Sequence, residues 1–92
     1  MNNVAERVRQ FIIDDLGWEG TADQLTDDLP LIHEGVLDSL GILTLVTFLE
    51  SAYGMEVEDS EILPANLGTI GNIERYVLAK KGSMVSQPTA QR

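Results

Sequence analysis

Apolar residues recur at helical spacing in three separate stretches of the chain. The stripe in residues 2–16 consists of Val4, Val8, Phe11, Ile12 and Leu16. The stripe in residues 39–53 consists of Ile42, Leu45, Val46, Leu49 and Tyr53. The stripe that runs from about residue 70 to residue 80 consists of Ile70, Ile73, Tyr76 and Val77. This spacing predicts three amphipathic helices, and no alternating pattern of comparable strength predicts a strand.

Residues with known capping preferences lie at the ends of these stripes. Asn2 or Asn3 can cap the first helix, and Gly17 can end it. Gly54 can end the second helix, because glycine readily adopts the left-handed conformation that follows many helices. Thr69 can cap the last helix.

The last helix is predicted to end near Lys80. Lys80 and Lys81 suit the negative end of its dipole. The segment that follows, residues 82–92, is polar and aperiodic and contains Pro88, so we expect it to be disordered. The predicted division is a domain over residues 1–81 and a tail over residues 82–92.

The segments between the stripes are less regular. Residues 17–37 contain glycines, a proline and scattered apolar residues, so we expect them to pack across the helices and to include a helical turn. Residues 55–57 look extended, and Glu58 to Leu63 can form one or two helical turns before Pro64. The predicted fold is an all-α, four-helix bundle with three longer helices, one short helix and a long first loop.

The charge of the chain is unevenly distributed. The net charge is −9, and no Lys or Arg lies between Gln10 and Ile73. That stretch holds the carboxylates Asp14, Asp15, Glu19, Asp23, Asp27, Asp28, Glu34, Asp38, Glu50, Glu56, Glu58, Asp59 and Glu61. Such a surface repels nucleic acid and attracts basic partners. The composition by itself favours a simpler explanation, which is that the acidity keeps a small domain soluble.

Length and composition exclude several classes of protein. With 92 residues the chain has room for one domain, and without cysteine it forms no disulfide or cysteine-ligated metal site. No apolar run approaches the ~18 residues that a membrane span requires. The N-terminus also lacks the apolar core of a signal peptide, so we expect a cytoplasmic protein without membrane insertion.

No constellation of catalytic residues can be identified. His33 is the single histidine and lies in the long loop without a partner at a recognisable spacing. The serine-hydrolase elbow, the zinc-protease helix, the EF-hand loop and the phosphate-binding loop with its lysine are all absent. The pairs Asp14–Asp15 and Asp27–Asp28 are typical of solvated faces. We therefore expect a protein that is not an enzyme, with no metal site.

Ser39 lies where the acidic loop turns into the most apolar helix. Asp and Ser are both favoured helix caps, so Asp38-Ser39 at this position has a purely structural explanation. A hydroxyl at the mouth of a helix is also accessible to a modifying enzyme. Ser39 can therefore serve as a cap, as an attachment point, or as both.

Several motifs around Ser39 resemble one family when they are taken in order. Residues 36–41, Val-Leu-Asp-Ser-Leu-Gly, followed by the apolar helix resemble the prosthetic-group site and second helix of acyl carrier proteins. Residues 53–57 are similar to the family's exit from that helix, and residues 66–70 resemble the start of its last helix. Residues 25–31, Leu-Thr-Asp-Asp-Leu-Pro-Leu, resemble the segment before the modified serine.

The resemblance covers roughly residues 4 to 80 and implies a carrier function. A phosphopantetheinyl transferase would attach 4'-phosphopantetheine to Ser39, and the arm would supply the thiol that the chain lacks. An acyl- or aminoacyl-loading ligase or synthetase would charge the thiol, and a downstream synthase or transferase would accept the cargo. The resemblance further implies a monomer that works in lipid or secondary-metabolite biosynthesis and binds no nucleic acid.

The resemblance also assigns partner-facing residues. They are Asp38, Leu40, Leu43, Thr44, Thr47, Glu50, Glu56, Glu58 and Glu61. Carriers of fatty-acid synthesis usually have an acidic residue where this chain has Gly41, and often also where it has Thr44 and Ser51. This departure from the family pattern points to a specialised aminoacyl, peptidyl, D-alanyl or polyketide-type carrier. The cargo and the pathway stay open.

An alternative interpretation needs no prosthetic group. The thirteen carboxylates between residues 10 and 73 are also compatible with an unmodified acidic domain that docks on a basic partner. Under this hypothesis Ser39→Ala leaves function intact, whereas changes at Glu56, Glu58 or Glu61 weaken binding.

Overall fold

The computed structural model describes the backbone of residues 3–86 and the side chains of residues 3–82. These residues form four α-helices and no strand. The helices are α1 (Val4–Asp15), α2 (Ser39–Tyr53), α3 (Pro64–Leu67) and α4 (Ile70–Ser86). Two 3-10 turns, Ala22–Gln24 and Asp59–Glu61, lie in the connections. The prediction of an all-α bundle with three longer helices, one short helix and a long first loop is confirmed.

Helix α1 lies against α4 and is closed at both ends by residues that the sequence indicated. The side chain of Asn3 accepts a hydrogen bond from the Glu6 amide at 3.3 Å. Gly17 follows the helix with a φ of 74°, a conformation that favours glycine. The apolar stripe turns inward, with Val8 and Ile12 fully buried. The other candidate cap, Asn2, lies outside the described residues.

Helix α2 has the bounds that the periodicity predicted. Leu45 and Leu49 are fully buried, whereas Ile42, Val46 and Tyr53 are half-buried and pack against the core. Gly54 ends the helix at φ 61°, and its amide donates a 3.0 Å hydrogen bond to the Glu50 carbonyl. The predicted glycine stop is therefore confirmed.

The long first loop is packed onto the bundle, as its scattered apolar residues indicated. Leu25, Leu31 and Leu37 are essentially inaccessible to solvent. Arg9 of α1 donates a 2.9 Å hydrogen bond to the Leu25 carbonyl. The Leu31 amide donates to the Gly68 carbonyl at 2.7 Å, which ties the loop to the segment before α4. Buried leucines and main-chain hydrogen bonds thus fix the path that leads to α2.

The short fourth helix lies later in the chain than the sequence predicted. The segment 58–63 contains only the 3-10 turn, and α3 begins at Pro64. Proline suits the first position of a helix, because the amide it lacks has no partner there. At the other end of α3, a Cβ on Gly68 would approach the Pro64 carbonyl oxygen to 2.4 Å, so this position requires glycine.

Helix α4 begins as predicted but ends later. The Thr69 hydroxyl accepts a 3.0 Å hydrogen bond from the Asn72 amide, which confirms the cap. The inner stripe of α4 is buried as expected, and it consists of Ile70, Ile73, Tyr76 and Val77. The predicted end near Lys80 is wrong, because the helix continues through Gly82 to Ser86.

The extension of α4 has a physical explanation. A glycine inside a helix costs only about 1 kcal/mol, which other interactions can offset. Lys80 forms an ion pair with Glu61, and Lys81 donates to the Tyr53 carbonyl, so both lysines fix this part of α4 against other elements. The first residues of the predicted disordered tail, 82–86, are therefore helical, and residues 87–92 lie outside the described residues.

Among residues 3–86, no helix combines the length and the apolar content that crossing a bilayer requires.

Candidate functional site

Ser39 is the first residue of α2, and its side chain is exposed. The cap of the helix is Asp38, whose backbone is extended and whose Oδ1 accepts a 2.8 Å hydrogen bond from the Gly41 amide. Of the roles that the sequence left open for Ser39, the structure therefore excludes that of the cap. Ser39 already has a helical position, and the carboxylate of the preceding residue reaches the amide that a cap must satisfy.

The residues around Ser39 hold it at the surface. Leu37 is 1% exposed, and its amide donates a 3.0 Å hydrogen bond to the Leu31 carbonyl. Two residues after Ser39, Gly41 is buried, and a Cβ there would lie 3.2 Å from Asp38 Oδ1 and 3.5 Å from Leu37 Cδ2. The absence of a side chain at Gly41 thus allows the cap and Leu37 to pack closely against the first turn. The sequence showed Gly41 only as a departure from the family pattern.

The Ser39 hydroxyl fits a phosphate ester. Among residues 3–82 no side chain hydrogen-bonds this hydroxyl, so its modification breaks no cap. The first amides of a helix have no intrahelical partner, and the positive end of the dipole favours an anion. Asp38 engages the Gly41 amide, and the amides of Ser39 and Leu40 belong to the same first turn of α2.

Two leucines next to Ser39 point into solvent. Leu40 is 72% exposed and Leu43 is 58% exposed. Thr44 and Thr47 donate their hydroxyl hydrogens back to the carbonyls of Leu40 and Leu43, at 2.9 and 3.1 Å. This side of α2 therefore presents apolar side chains and hydroxyl groups that are already engaged in the helix.

Glu50, another predicted partner-facing residue, has a role in the fold. Its Oε2 accepts a 3.0 Å hydrogen bond from the Val57 amide, and the side chain is half-buried. The carboxylate thereby ties the second half of α2 to the extended segment that follows it.

Glu61 is also engaged within the protein. Its Oε1 accepts hydrogen bonds from Lys80 Nζ at 2.9 Å and from Tyr76 Oη at 2.8 Å. The bond from Lys80, followed by those from Tyr76 and the Glu58 amide, lowers the pKa of Glu61 to about 2. Burial and the neighbouring Glu61 carboxylate raise the pKa of Tyr76 well above its usual range. Glu56 and Glu58, by contrast, are exposed, and so is His33 in the first loop.

A groove of about 600 Å³ lies between α1 and α2, next to the exposed side of α2. Its walls include Arg7 and Asp15 of α1 and Thr44 and Phe48 of α2. Phe11 and Phe48 also line the groove, and their rings stack, with centroids 4.3 Å apart and an interplanar angle of 14°. The sequence did not indicate this groove, because Phe48 falls outside the apolar stripe of α2.

Comparisons with known proteins agree with this arrangement. The family described as "Phosphopantetheine attachment site" matches residues 6–77. An acyl carrier protein of Akkermansia muciniphila is 32% identical over 81 residues, which cover 88% of this chain and 96% of that protein. An acyl carrier protein of Thermotoga maritima is 30% identical over 79 residues, which cover 86% and 93% respectively. For an acyl carrier protein of Zymomonas mobilis the identity is 27% over 77 residues, with coverages of 84% and 94%. The chain therefore belongs to the acyl carrier protein family, and its cofactor is 4'-phosphopantetheine.

Proposed function

We propose that Ser39 is the attachment point of 4'-phosphopantetheine and that the chain is a carrier rather than a catalyst. The observation that carries this proposal is the exposed Ser39 hydroxyl, which lies at the first residue of α2 and is not used by the cap. A nucleophile that works alone would need a neighbouring base, and the single histidine is exposed in the loop without a hydrogen-bonded partner among residues 3–82. A serine that another enzyme modifies needs no such base.

Each residue around Ser39 has a separate part in this function. Leu37 anchors the chain in the core, Asp38 holds the first turn of α2, and Gly41 lets the two pack closely. The positive end of α2 stabilises a phosphate ester on the hydroxyl. When bound, the arm supplies a terminal thiol that carries acyl or aminoacyl groups as thioesters.

The proposed partners follow from this chemistry. A phosphopantetheinyl transferase installs the arm, a loading ligase or synthetase charges it, and a downstream synthase or transferase receives the cargo. A flexible arm on a small folded domain raises the effective concentration of the cargo at the active site of a partner. We place this activity in the cytoplasm, where coenzyme A is available, and we expect the carrier to act as a monomer.

The composition of α2 supports a specialised carrier. The helix has uncharged residues at Gly41, Thr44 and Ser51, and its single carboxylate, Glu50, is hydrogen-bonded to the Val57 amide. We propose a carrier of acyl or aminoacyl groups outside general fatty-acid synthesis.

The test is intact mass spectrometry of the apo protein after incubation with coenzyme A, magnesium and a broad-specificity transferase. We expect a gain of one phosphopantetheine group in the wild type, none in Ser39→Ala, and the full gain in Ser51→Ala, which removes another exposed hydroxyl of α2. Peptide mapping should then place the group on Ser39. No gain with several transferases, or an undiminished gain in Ser39→Ala, would contradict the proposal.

The unmodified acidic interaction domain has weaker support. It names Glu56, Glu58 or Glu61 as docking carboxylates, and one of the three, Glu61, is already held by Lys80 and Tyr76, whereas Glu56 and Glu58 are exposed. The two hypotheses differ in Ser39→Ala, which abolishes carrier function but leaves an acidic docking surface intact.

A further inference from the structure

A pocket of about 260 Å³ joins the end of α1 to the last part of the long first loop. Leu16 and Trp18 line it on the side of α1, and Val36 lines it on the side of the loop. All three side chains are half-buried and pack against the core from outside. None of them takes part in the cap or the first turn of α2, so the pocket is a separate feature of the surface.

Trp18 has a fixed orientation in this pocket. Its indole Nε1 donates a 2.8 Å hydrogen bond to the Thr21 carbonyl. The backbone of Gly20 lies against the ring, because a Cβ at that position would come within 3.0 Å of Trp18 Cζ2. The polar group of the ring is therefore satisfied within the protein, and the rest of the indole forms an aromatic wall of the pocket.

The lining of the pocket contains two carboxylates and no basic residue. They belong to Glu19 and Glu34, which are both exposed. Within residues 3–82 neither carboxylate takes part in a hydrogen bond or an ion pair, unlike that of Glu61. Carboxylates and the face of a tryptophan both attract a cation. A group with an ammonium and a small apolar body therefore complements this pocket.

The pocket lies within reach of Ser39. Val36 precedes Ser39 by three residues, so their Cα atoms are at most about 11 Å apart. The Val36 carbonyl oxygen also lies beside the first turn of α2, 3.8 Å from the position of a Cβ on Gly41. A phosphopantetheine arm has about a dozen bonds between phosphorus and sulfur and extends to roughly 15 Å. The arm is thus long enough to bring cargo from Ser39 to the pocket.

Size and charge restrict the cargo that fits. Because a water-sized group occupies about 30 Å³, the pocket holds roughly nine non-hydrogen atoms, too few for a long acyl chain. A dicarboxylic cargo such as malonyl would bring a third carboxylate beside Glu19 and Glu34, and like charges repel. A neutral short acyl group gains only apolar contact, whereas an aminoacyl group adds the attraction of its ammonium.

We propose that Trp18, Glu19 and Glu34 form a binding site for an aminoacyl cargo on the arm. The indole face and the two carboxylates hold the ammonium group of the cargo, and the half-buried side chains of Leu16 and Val36 contact its apolar part. The site thereby selects aminoacyl groups among the short cargoes that a carrier can hold.

This inference rests on the proposed attachment at Ser39, and its test begins with loaded protein. A broad-specificity transferase loads the apo protein from amide analogues of alanyl-, isobutyryl- and malonyl-coenzyme A, in which nitrogen replaces the thioester sulfur. Alanyl and isobutyryl groups have the same shape, but only alanyl carries an ammonium. Intact mass spectrometry checks that each analogue is loaded before any further measurement.

The fluorescence of Trp18 reports on the pocket, because this residue is the only tryptophan of the chain. Cargo that lies on the indole shields it from acrylamide, a neutral quencher. We expect the quenching constant of the alanyl form to be at least about twofold lower than those of the isobutyryl and malonyl forms. In nitrogen–proton correlation spectra the Trp18 indole signal should also shift most in the alanyl form.

Two double variants locate the charges that hold the cargo. Glu19→Gln with Glu34→Gln removes both charges and nearly preserves the shape of the pocket, so the alanyl and isobutyryl forms should then differ by less than about 1.3-fold. Glu56→Gln with Glu58→Gln is the control, since both residues are exposed, lie outside this pocket and change the net charge equally. The control should keep the twofold difference, and circular dichroism checks that both double variants are folded.

Two outcomes would overturn the inference although Ser39 is loaded normally. One is equal quenching of the alanyl and isobutyryl forms, which would show that the ammonium gains nothing at the pocket. The other is an equal loss of the difference in both double variants, which would show that the net charge rather than this site holds the cargo. A failure of Ser39 to accept any analogue appears earlier, in the mass spectrum, and overturns the proposed function together with this inference.

Discussion

Lys81 of α4 donates a 2.8 Å hydrogen bond from Nζ to the main-chain carbonyl oxygen of Tyr53, the last residue of α2. The final carbonyls of a helix have no intrahelical partner, and a cation stabilises the negative end of the dipole. The sequence suggested that Lys81 stabilises the negative end of its own helix. In the structure its ammonium group stabilises the negative end of α2 instead. The bond fixes the end of α2 against α4.

Loss of this bond should destabilise the fold. We expect Lys81→Met to lower the free energy of unfolding by about 1–2 kcal/mol, because it leaves the Tyr53 carbonyl without its charged donor. Urea denaturation followed by circular dichroism measures the change. Arg75→Met is the control, since Arg75 is exposed and donates only to Asn72 of the same helix, at 2.9 Å. An effect of Lys81→Met no larger than that of the control would show that the bond contributes little.

The pairing of Glu61 with Lys80 predicts a dependence of stability on pH. The pKa of Glu61 is lowered from 4.5 to about 2 by the hydrogen bonds from Lys80 and Tyr76. A depressed carboxylate pKa stabilises the folded state above the unfolded pKa, and this stabilisation is lost as the pH falls through the folded pKa. The contribution of Glu61 should therefore be complete above about pH 5 and disappear progressively towards pH 2.

Thermal unfolding between pH 2 and pH 6 tests this dependence. Glu61→Gln should flatten the curve of Tm against pH in the acid range, and Lys80→Met should flatten it as well, because it removes the main cause of the pKa shift. Glu56→Gln is the control, since Glu56 is exposed and takes no part in the hydrogen bonds of Glu61. Curves of equal slope for Glu61→Gln and the wild type would contradict the assignment.

Asp38 should contribute to stability as the helix cap, whereas the neighbouring Ser39 should matter for modification and not for stability. Asp38→Ala should lower the free energy of unfolding by about 1 kcal/mol, because the Gly41 amide loses its acceptor. Ser39→Ala should change stability by less than about 0.5 kcal/mol, because the exposed hydroxyl is not part of the cap. Denaturant unfolding of the apo proteins measures both values, with Asp38→Asn as the variant that retains a capping oxygen. A larger loss of unfolding free energy in Ser39→Ala than in Asp38→Ala would show that Ser39 caps the helix.

Arg9 should be the most important basic residue for the long loop. Its side chain is 15% exposed, donates to the Leu25 carbonyl at 2.9 Å, and forms ion pairs with Glu6 and Asp27. We expect Arg9→Met to lower the free energy of unfolding by about 2 kcal/mol, because the Leu25 carbonyl loses a charged donor. Arg7→Met is the control on the same helix. Arg7 lies 5.2 Å from the centroid of the Tyr53 ring, a contact that contributes about 0.5–1 kcal/mol at an exposed site. Equal losses in the two variants would contradict a special role for Arg9.

Much of the fold could be predicted because its determinants are local. The stripes of α1, α2 and α4 need only the helical period, and residues such as Gly54 and Thr69 act on amides and carbonyls within one turn. The Asp38-Ser39-Leu40 motif could be located for the same reason. The sequence could not predict which of the two residues caps the helix, because Asp38 and Ser39 are both good caps and only the backbone conformation distinguishes them.

The sequence by itself determined the helical class, the order of the helices and the position of Ser39 at the start of α2. Only the tertiary structure decided which charges remain available to a partner. Glu61 lies 19 residues from Lys80, and Lys81 lies 28 residues from Tyr53, so no local pattern could indicate that they are hydrogen-bonded. The same holds for Phe11 and Phe48, whose stacking depends on how α1 packs beside α2. Periodicity reports which side of a helix is buried, whereas the distances between side chains of different helices arise only when the bundle packs.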